Sequence, residues 1–340
     1  MNDTLTPERK KRRKSIKGAS RIEYAGPLTK EIIEDFVIAA PNVQILHIEL
    51  LDDTSFNLSD LRELKDLLVL KVSEGYDLKQ VSLEGIQEFN LLTGLEININ
   101  SADTIEEIDL APLKNHPELT VLTIAGQVRT LKAIDTLNTI PKLNSIGLYS
   151  LDISELDLSS LGGCSKLESV YLGDLGSEKP TKPYRIILPK EAPIKILEIS
   201  ECYSDDLVVE VDYSFLKGKV ALDSFSVVNC NLTSFDLGNL ASLKRIGHLD
   251  LSQNKITHLD ITPILDIPMF TEEALGESPF ATDQDVIIQI SKNKEQEIDE
   301  ILKRPDKIVE DHDGSFAINY EFGHQWLRKL LESYTIEWIE

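Results

Sequence analysis

Three cysteines, Cys164, Cys202 and Cys230, are the residues of this 340-residue chain best suited to covalent chemistry. A thiolate can serve as a nucleophile, a metal ligand or half of a disulfide. Their odd number and wide spacing fit neither a disulfide scaffold nor a zinc knuckle, and favour a reducing compartment. The six histidines lack the H-E-x-x-H spacing of a zinc site, and the sequence has no phosphate-binding loop. We therefore expect no catalytic residue, no metal and no cofactor.

A second group of residues could bind a partner without reacting with it. Tyrosine is enriched where proteins bind one another, and carboxylates attract basic partners. The candidate partner-binding residues are Tyr149, Tyr171, Glu168, Glu198, Asp223 and Asp250. Whether they share a surface depends on the elements that carry them.

Charge is distributed unevenly along the chain. Residues 1–21 contain eight Lys and Arg against two Asp and Glu, whereas the rest has 27 basic and 56 acidic residues, a net charge of −29. Such a body repels nucleic acids and anionic membranes, so nucleic acid is expected, if at all, only at the basic run between Arg9 and Lys14. That run has three interpretations: a disordered tail, a nuclear-import or nucleic-acid-binding patch, or a strap on the acidic body.

The elements follow from a repeat. The template L-x-x-L-x-L occurs nine times at intervals of 24 to 28 residues, starting at Val43, Leu67, Leu92, Leu119, Leu143, Leu167, Ile194, Leu222 and Ile246. Positions 4 and 6 point to the same face of a short strand and are buried, while position 5 points away. Because no single unit can bury its apolar edge alone, the units must stack into a parallel sheet with one shared core.

This pattern resembles the leucine-rich-repeat family, whose consensus continues to an Asn or Cys at position 9. Asn254 stands at that position in the ninth repeat, and Cys202 and Cys230 stand there in the two preceding repeats. In the family this side chain bonds backbone groups of the turn. Leu151 and Leu175 depart from the consensus, so their turns must satisfy the backbone differently. The resemblance implies an α/β fold, a curved leucine-rich-repeat solenoid of the intracellular type with a parallel β-sheet on its concave face.

A solenoid needs caps over its two apolar ends. At the front, Thr29 can N-cap a helix, and at the back two amphipathic segments predict further helices. Two longer segments, 176–193 and 269–285, should project as loops. The predicted domains are a basic, disordered tail (1–21), an N-terminal helical cap (22–41), a solenoid with nine clear repeats and a degenerate tenth strand at 286–290 (42–290), and a C-terminal helical cap (291–340).

The repeat assigns a place to each candidate residue. Cys164 lies three residues before the first position of its repeat. The equivalent residue of most other repeats is apolar, which favours a buried structural thiol. Tyr149 and Tyr171 lie in adjacent repeats two positions apart, so we expect diagonal neighbours on the concave face. They would anchor a partner, and the carboxylates would select a basic one. The alternative is that all six candidates are merely tolerated at the surface.

These observations predict a non-catalytic scaffold that binds a protein or peptide on its concave face. The alternative is a regulatory subunit or inhibitor of an enzyme such as a phosphatase, a GTPase or a toxin. A third hypothesis is an enzyme whose site is hidden in the insertion loops or the C-terminal segment. The sequence has no run of about 18 apolar residues and no apolar signal region at its start. We expect a cytoplasmic monomer that binds no membrane, or a nuclear protein if the source is eukaryotic.

Overall fold

The structure is a computed structural model that describes residues 5–73, 77–99, 104–153, 155–175, 184–202, 209–267, 269–270, 280–303, 308–310, 316–318 and 325–340. The chain forms two compact units. Unit 1 comprises Met1–Thr181 and Glu191–Pro193, and unit 2 comprises Lys182–Lys190 and Ile194–Glu340. Of the segment expected to be a loop at 176–193, residues 176–183 lie outside the described residues, and Arg185–Ile187 form a short strand that pairs with Glu210–Asp212 instead of a loop.

The main sheet of unit 1 consists of seven parallel strands. They are β1 (Arg21–Ala25), β2 (Ile45–Glu49), β3 (Val69–Ser73), β4 (Gly94–Ile99), β5 (Val121–Gly126), β6 (Ser145–Tyr149) and β7 (Ser169–Gly173). Each strand pairs with the next in the register of the repeat, so that Leu46 lies opposite Leu70 and Ile146 opposite Val170. These side chains at position 4 are fully buried, as are those at position 6 such as Ile48. The predicted leucine-rich-repeat fold is therefore confirmed in this unit.

The far side of each repeat in unit 1 carries short elements. The strands there are Ser55–Asn57, Gln80–Ser82, Ile108–Asp109, Leu131–Lys132 and Glu155–Asp157. The 3-10 helices are Leu58–Leu61, Ile86–Glu88, Ala111–Leu113, Ile134–Thr139 and Ser159–Gly163. Their leucines and isoleucines complete the core, because residues such as Leu61, Ile86 and Leu113 are fully buried.

The N-terminal cap differs from the expected purely helical segment. Helix α2 (Lys30–Ala39) is present, and the predicted N-cap is confirmed because the Thr29 side chain accepts a hydrogen bond from the Ile32 N–H. Strand β1 comes before it, however, and forms the end of the sheet. Ile22 lies opposite Leu46, 24 residues later, so this strand is an additional repeat whose weak consensus concealed it.

The basic tail also differs from expectation. Residues Pro7–Ser15 form helix α1, which begins with an N-cap at Thr6 and packs against α2. An isolated nine-residue helix is marginal in water, so this one requires tertiary contacts. Those contacts are ionic and are described below.

The main sheet of unit 2 contains β8 (Ile196–Ser200), β9 (Ala221–Val228) and β10 (Arg245–Asp250), again parallel and in the register of the repeat. Two short strands, Met269–Phe270 and Phe280–Ala281, pair with β10. Part of the segment expected to be a loop at 269–285 therefore extends this sheet. Leucine-rich repeats thus form unit 2 as well.

The smaller elements of unit 2 form a second layer. The strands are Arg185–Ile187, Glu210–Asp212 and His258–Asp260, and the helical turns are Tyr213–Leu216, Leu237–Leu240 and α3 (Thr262–Leu265). The predicted tenth strand exists at Ile287–Ser291, but it does not continue the main sheet. It pairs instead with His258–Asp260 on one side and with the C-terminal strand Thr335–Ile339 on the other.

The C-terminal cap is only partly helical. It contains a 3-10 turn (Lys292–Lys294), helices α4 (Glu295–Lys303) and α5 (Gln325–Ser333), an antiparallel pair (Ile308–Glu310 and Phe316–Ile318), and the strand Thr335–Ile339. Leu327 and Leu330 of α5 are buried, as the amphipathic pattern predicts. The prediction of a helical cap missed the final strand, whose alternation was obscured by the preceding helix.

Candidate binding surfaces

The strands of unit 1 present one face away from the core, and we call it the unit 1 open face. Its side chains form rows across the sheet because every strand keeps the same register. One row contains Glu23, His47, Lys71, Glu96, Thr123, Gly147 and Tyr171. The next row contains Ala25, Glu49, Ser73, Asn98, Ala125, Tyr149 and Gly173.

Charge divides this face into two parts. On β1 to β4 the face carries charged side chains, and two pairs of them are ionic: Lys71 Nζ lies 2.5 Å from a Glu96 oxygen, and Arg21 lies 2.6 Å from Glu23. On β5 to β7 no outward residue is charged. We call this second part the neutral patch, and its residues are Val121, Thr123, Ala125, Ser145, Gly147, Tyr149, Ser169, Tyr171 and Gly173.

Tyr149 and Tyr171 lie diagonally across the neutral patch, as predicted. Tyr149 lies opposite Gly173, and Tyr171 lies opposite Gly147. Both tyrosines are half-buried, and both have a glycine as cross-strand neighbour on β6 or β7. The two rings therefore stand among small side chains that leave their faces room to contact a partner.

The predicted carboxylates do not form one acidic surface. Glu168, in unit 1, precedes β7 and is half-buried. In unit 2, Glu198 and Asp250 share a row, with Ser226 between them. Asp223 is neutralised because its Oδ1 lies 2.9 Å from Arg245 Nη1.

Sequence analysis missed this pair because Arg245 stands just before the first position of its repeat, outside the expected surface. Asp250 is also engaged: it accepts a hydrogen bond from the Ser252 N–H at 2.9 Å, and His248 lies 3.9 Å away. Because Asp223 and Asp250 are engaged in this way, unit 2 has less negative charge with which to select a basic partner.

A second surface is formed by the basic helix α1. Asp35 on α2 is fully buried and contacts three arginines, Arg9 at 2.9 Å, Arg12 at 2.5 Å and Arg13 at 2.5 Å. These hydrogen bonds outweigh the burial of the carboxyl and lower the pKa of Asp35 to about 2. Of the three interpretations of the basic run, the structure favours the strap.

The lysines of the same run point to the opposite side. Lys10, Lys11 and Lys14 are exposed, and none forms an ion pair within the described part of the chain. Helix α1 thus separates its two kinds of cation, with guanidinium groups against Asp35 and ammonium groups in solvent. Arginine suits the inner role because its planar fork can share several hydrogen bonds with one carboxylate.

A pocket of about 500 Å³ lies beside α2 in unit 1. Its apolar wall includes Leu28, Ile33, Val37 and Ile38. Its rim includes Ser59 and charged residues of both signs, among them Lys30, Asp60 and Arg62. Ile38 is 60% exposed, so the wall is open to solvent. The mixed charge of the rim selects no particular class of partner.

The turns after the strands carry the residues expected at position 9. The Asn254 amide donates to the carbonyls of Val227 at 2.7 Å and Leu251 at 2.8 Å, and its oxygen accepts from the N–H groups of Cys230 and Leu232. The role implied by the family resemblance is therefore confirmed.

Leucine at position 9 leaves the turn to satisfy its backbone in another way. Leu151 and Leu175 are buried, and they have no polar group to offer. In the first of these turns the Ser150 N–H donates to the carbonyl of Gly173 at 2.9 Å, and the Ser150 hydroxyl bonds Asp174. Adjacent turns thus satisfy each other.

Cys164 and His116 both lie three residues before the first position of their repeats, and both side chains are buried. The Cys164 thiol is almost fully buried, contacts the Leu137 carbonyl at 3.6 Å, and has its pKa raised to about 11 by burial. Such a thiol carries little thiolate at neutral pH, which favours the structural role predicted for it. His116 is fully buried, with Nε2 3.2 Å from the Phe89 carbonyl and Nδ1 accepting from the Leu119 N–H.

The described residues contain no group of three or more His, Cys, Asp or Glu side chains placed to hold a metal ion. Within the same residues, no helix is both long enough and apolar enough to cross a bilayer.

Comparisons with known proteins identify similar folds only. No protein-family model matches the chain, and no curated protein matches it. Among solved structures, an internalin C2 from Listeria monocytogenes is 23% identical and covers 60% of this chain and 79% of its own, with a TM-score of 0.37. A second Listeria internalin, InlF, is 16% identical, and the match covers 82% of this chain and 83% of the internalin chain, with a TM-score of 0.40.

A plant structure shows the same kind of likeness. The LRR ectodomain of the receptor kinase GASSHO1/SCHENGEN3 from Arabidopsis thaliana, in complex with CASPARIAN STRIP INTEGRITY FACTOR 2, is 14% identical, with a TM-score of 0.34. The match covers 79% of this chain but only 39% of the receptor chain. These values carry no functional conclusion, and the leucine-rich-repeat fold of each unit rests on its own repeat, strand register and turns.

Proposed function

We propose that this protein is a non-catalytic interaction scaffold that binds a protein or peptide on the unit 1 open face, with Tyr149 and Tyr171 as anchors. The observation that carries the proposal is the neutral patch, where three neighbouring strands expose two tyrosines and no charge. This is the face that the sequence predicts to be concave. Extended faces of this kind are the surfaces that solenoid proteins use for binding.

The composition of the patch makes binding energetically favourable. Burying a charge without a partner is costly, and a partner that covers β5 to β7 desolvates no charged side chain. Tyrosine gives a large apolar contact with few rotatable bonds and keeps a hydroxyl for hydrogen bonding. Val121, which is 41% exposed at the edge of the patch, adds apolar surface.

The partner's chemistry follows from what surrounds the two rings. Small neighbours such as Ser145 and Gly173 leave shallow space beside the rings, which suits an extended segment with small or apolar side chains. The half-buried carboxylate of Glu168 lies one residue before β7 and favours a basic residue in the same segment. For unit 2 taken by itself, we propose that Glu198 and Asp250 give a weak preference for basic partners, since Asp223 is neutralised by Arg245.

The test is a capture experiment followed by a measured affinity. Immobilised wild-type protein and the Tyr149→Ala, Tyr171→Ala double variant would be exposed to lysate of the native host, and retained proteins would be identified by mass spectrometry. The affinity of a retained candidate would then be measured with purified components. Loss of two anchoring rings is expected to weaken binding by about 30-fold or more, the effect of one strong hot spot.

A matched control is Leu91→Ala, which removes an apolar side chain that is 48% exposed in unit 1 but outside the strands. It should leave the affinity unchanged. Equal binding by wild type, control and double variant would refute the proposal, provided that all three proteins show the same circular dichroism spectrum.

A further inference from the structure

Cys202 and Cys230 occupy equivalent points in two adjacent turns of unit 2. The paired register of β8 and β9 ends with Ser200 opposite Val228, and each cysteine lies two residues further along the chain. The residues in between, Glu201 and Asn229, both adopt the left-handed conformation with φ of 54°. The two turns therefore follow the same course, and the cysteines remain opposite each other.

This register sets a distance suited to a covalent bond. Neighbouring strands lie about 4.8 Å apart, and disulfides join residues whose Cα atoms are roughly 4.4 to 6.8 Å apart. Both thiols are fully buried, and each contacts the carbonyl two residues before it, Cys202 at 3.3 Å and Cys230 at 3.2 Å. The two side chains also hydrogen-bond to each other.

The pair differs electrostatically from the lone thiol of unit 1. The hydrogen bond from Cys202 lowers the pKa of Cys230 despite its burial, whereas burial alone raises the pKa of Cys164 to about 11. Because the thiolate is the reactive form, Cys230 is the stronger nucleophile of these two.

Two phenol hydroxyls accompany the thiols. The hydroxyls of Tyr184 and Tyr213 are buried without a hydrogen-bond partner in the described structure. The tyrosines interact electrostatically with the thiols, Tyr184 with Cys202 and Tyr213 with both. A buried hydroxyl without a partner is destabilising, so a group beside the thiols that accepts a hydrogen bond would relieve that cost.

We propose that Cys202 and Cys230 are a redox-active pair which a small hydroperoxide converts into a disulfide between two adjacent turns. The Cys230 thiolate attacks one oxygen of hydrogen peroxide, breaks the O–O bond and forms a sulfenic acid, while the departing hydroxide takes a proton and leaves as water. The Cys202 sulfur then attacks the Cys230 sulfur, and the sulfenic hydroxyl leaves with the thiol proton as a second water. Two thiols are oxidised and one peroxide is reduced.

The phenols would assist both steps. Each step expels a hydroxide-like oxygen, and a hydroxyl donor close to the sulfur atoms stabilises the developing charge. The Tyr213 ring is held in place by edge-on contacts with two phenylalanine rings. Its centroid lies 6.1 Å from that of Phe225 and 4.9 Å from that of Phe235. We assign the Tyr213 hydroxyl, which has no hydrogen-bond partner among the described residues, as the positioned donor.

The test uses the full chain, reduced and then treated with hydrogen peroxide. Free thiols would be counted in denaturant after quenching, and a non-reducing digest would be examined by mass spectrometry. The expected result is loss of two of the three thiols, a mass lower by two hydrogen atoms, and one linked peptide pair containing Cys202 and Cys230. Cys164 serves as the internal control and should remain a thiol.

Two variants sharpen the test. Cys202→Ser removes the resolving thiol, so Cys230 should accumulate as a sulfenic acid that dimedone traps. Tyr213→Phe keeps the ring contacts and breaks no hydrogen bond, so it should fold normally and slow disulfide formation by roughly tenfold or more. Equal oxidation of Cys164, linkage between molecules, or a pair that stays reduced in the folded protein would each overturn the proposal.

Discussion

The Tyr149 ring lies over Gly147, two residues earlier on the same strand. A β-carbon placed on residue 147 would stand 2.9 Å from Cε2 of that ring and 3.2 Å from the Thr123 hydroxyl. Real β-carbons essentially never approach another atom to within 2.9 Å, so any side chain at residue 147 must push the ring aside. Glycine here sets the position of one of the two proposed anchors.

Gly147→Ala is therefore predicted to move the Tyr149 ring without unfolding unit 1. The ring is the mobile end of a side chain, so the free energy of unfolding should fall by less than about 1 kcal/mol. Affinity for a partner of the neutral patch should fall severalfold, measured by titration with that partner.

The matched control for this change is Gly94→Ala. Its β-carbon would meet only methyl groups of Val69, at 3.6 and 3.7 Å, which is ordinary contact. The control should leave affinity unchanged, and an equal loss in both variants would contradict the assigned role of the ring.

The contact between Asp35 and its three arginines predicts a dependence of stability on acid. The pKa of Asp35 is lowered to about 2 from its ordinary value of 3.8, so its contribution to stability is present above pH 3.8 and is lost as the pH falls towards 2. We expect this contribution to the free energy of unfolding to be about 1 to 2 kcal/mol. It is smaller than the full pKa shift of Asp35 implies, because the arginines are partly in solvent.

Asp35→Asn should remove this contribution and release helix α1. Limited trypsin digestion at neutral pH should then cleave at Lys10 and Lys11 faster than in wild type. Glu31→Gln, on the exposed face of α2, is the control and should change neither the digestion nor the acid dependence. Unchanged cleavage in Asp35→Asn would show that other contacts hold the strap.

His116 predicts a second dependence on pH. Burial lowers the pKa of His116 below its ordinary value of 6.5, in opposition to its backbone hydrogen bonds. The unfolded chain therefore binds a proton that the folded chain does not, and stability falls as the pH decreases below 6.5.

Replacement of this histidine isolates the effect. His116→Leu leaves the Leu119 N–H without its acceptor and should cost about 1 to 3 kcal/mol at pH 8. The difference between wild type and variant should shrink as the pH is lowered from 6.5 to 5, measured by urea denaturation at each pH. A constant difference would mean that His116 protonates equally in both states.

Asn254 predicts the largest loss of stability in unit 2. Asn254→Ala would leave several backbone groups of two turns without partners, and we expect a cost of about 3 kcal/mol. Asn254→Asp keeps the oxygen that accepts from Cys230 and Leu232 but loses the amide donor, so it should lie between alanine and wild type. Thermal unfolding of the three proteins measures the order, and an aspartate variant as stable as wild type would contradict the donor role.

Several features were predictable from local pattern alone. Positions 4 and 6 of each repeat had to be buried. Apolar residues two apart lie on the same face of a strand, and repeats about 24 residues apart place those faces side by side in one core. The same logic placed Tyr149 and Tyr171 diagonally and gave Asn254 its role in the turn. These are properties of residues close together in sequence or one repeat apart.

The charges were not predictable in this way. The acidic partner of the basic run is Asp35, 22 to 26 residues further along the chain, and the partner of Asp223 is Arg245. A pattern of charges identifies which side chains are ionised, but only the fold decides which of them meet. The proximity of Tyr213 to the two thiols was unpredictable for the same reason, since the spacing of polar residues in a sequence does not show which of them are buried together.

The amino-acid sequence by itself determined the repeat, the buried ladder of each strand and the turn residues, because these depend on periodicity and on the conformation of short segments. Only the tertiary structure decided that β1 is a further strand, that Ile287–Ser291 joins the outer layer and that α1 is a docked helix. In those places several arrangements satisfy the local pattern equally well. Burial against distant residues, such as Asp35 against three arginines, then selects one of them.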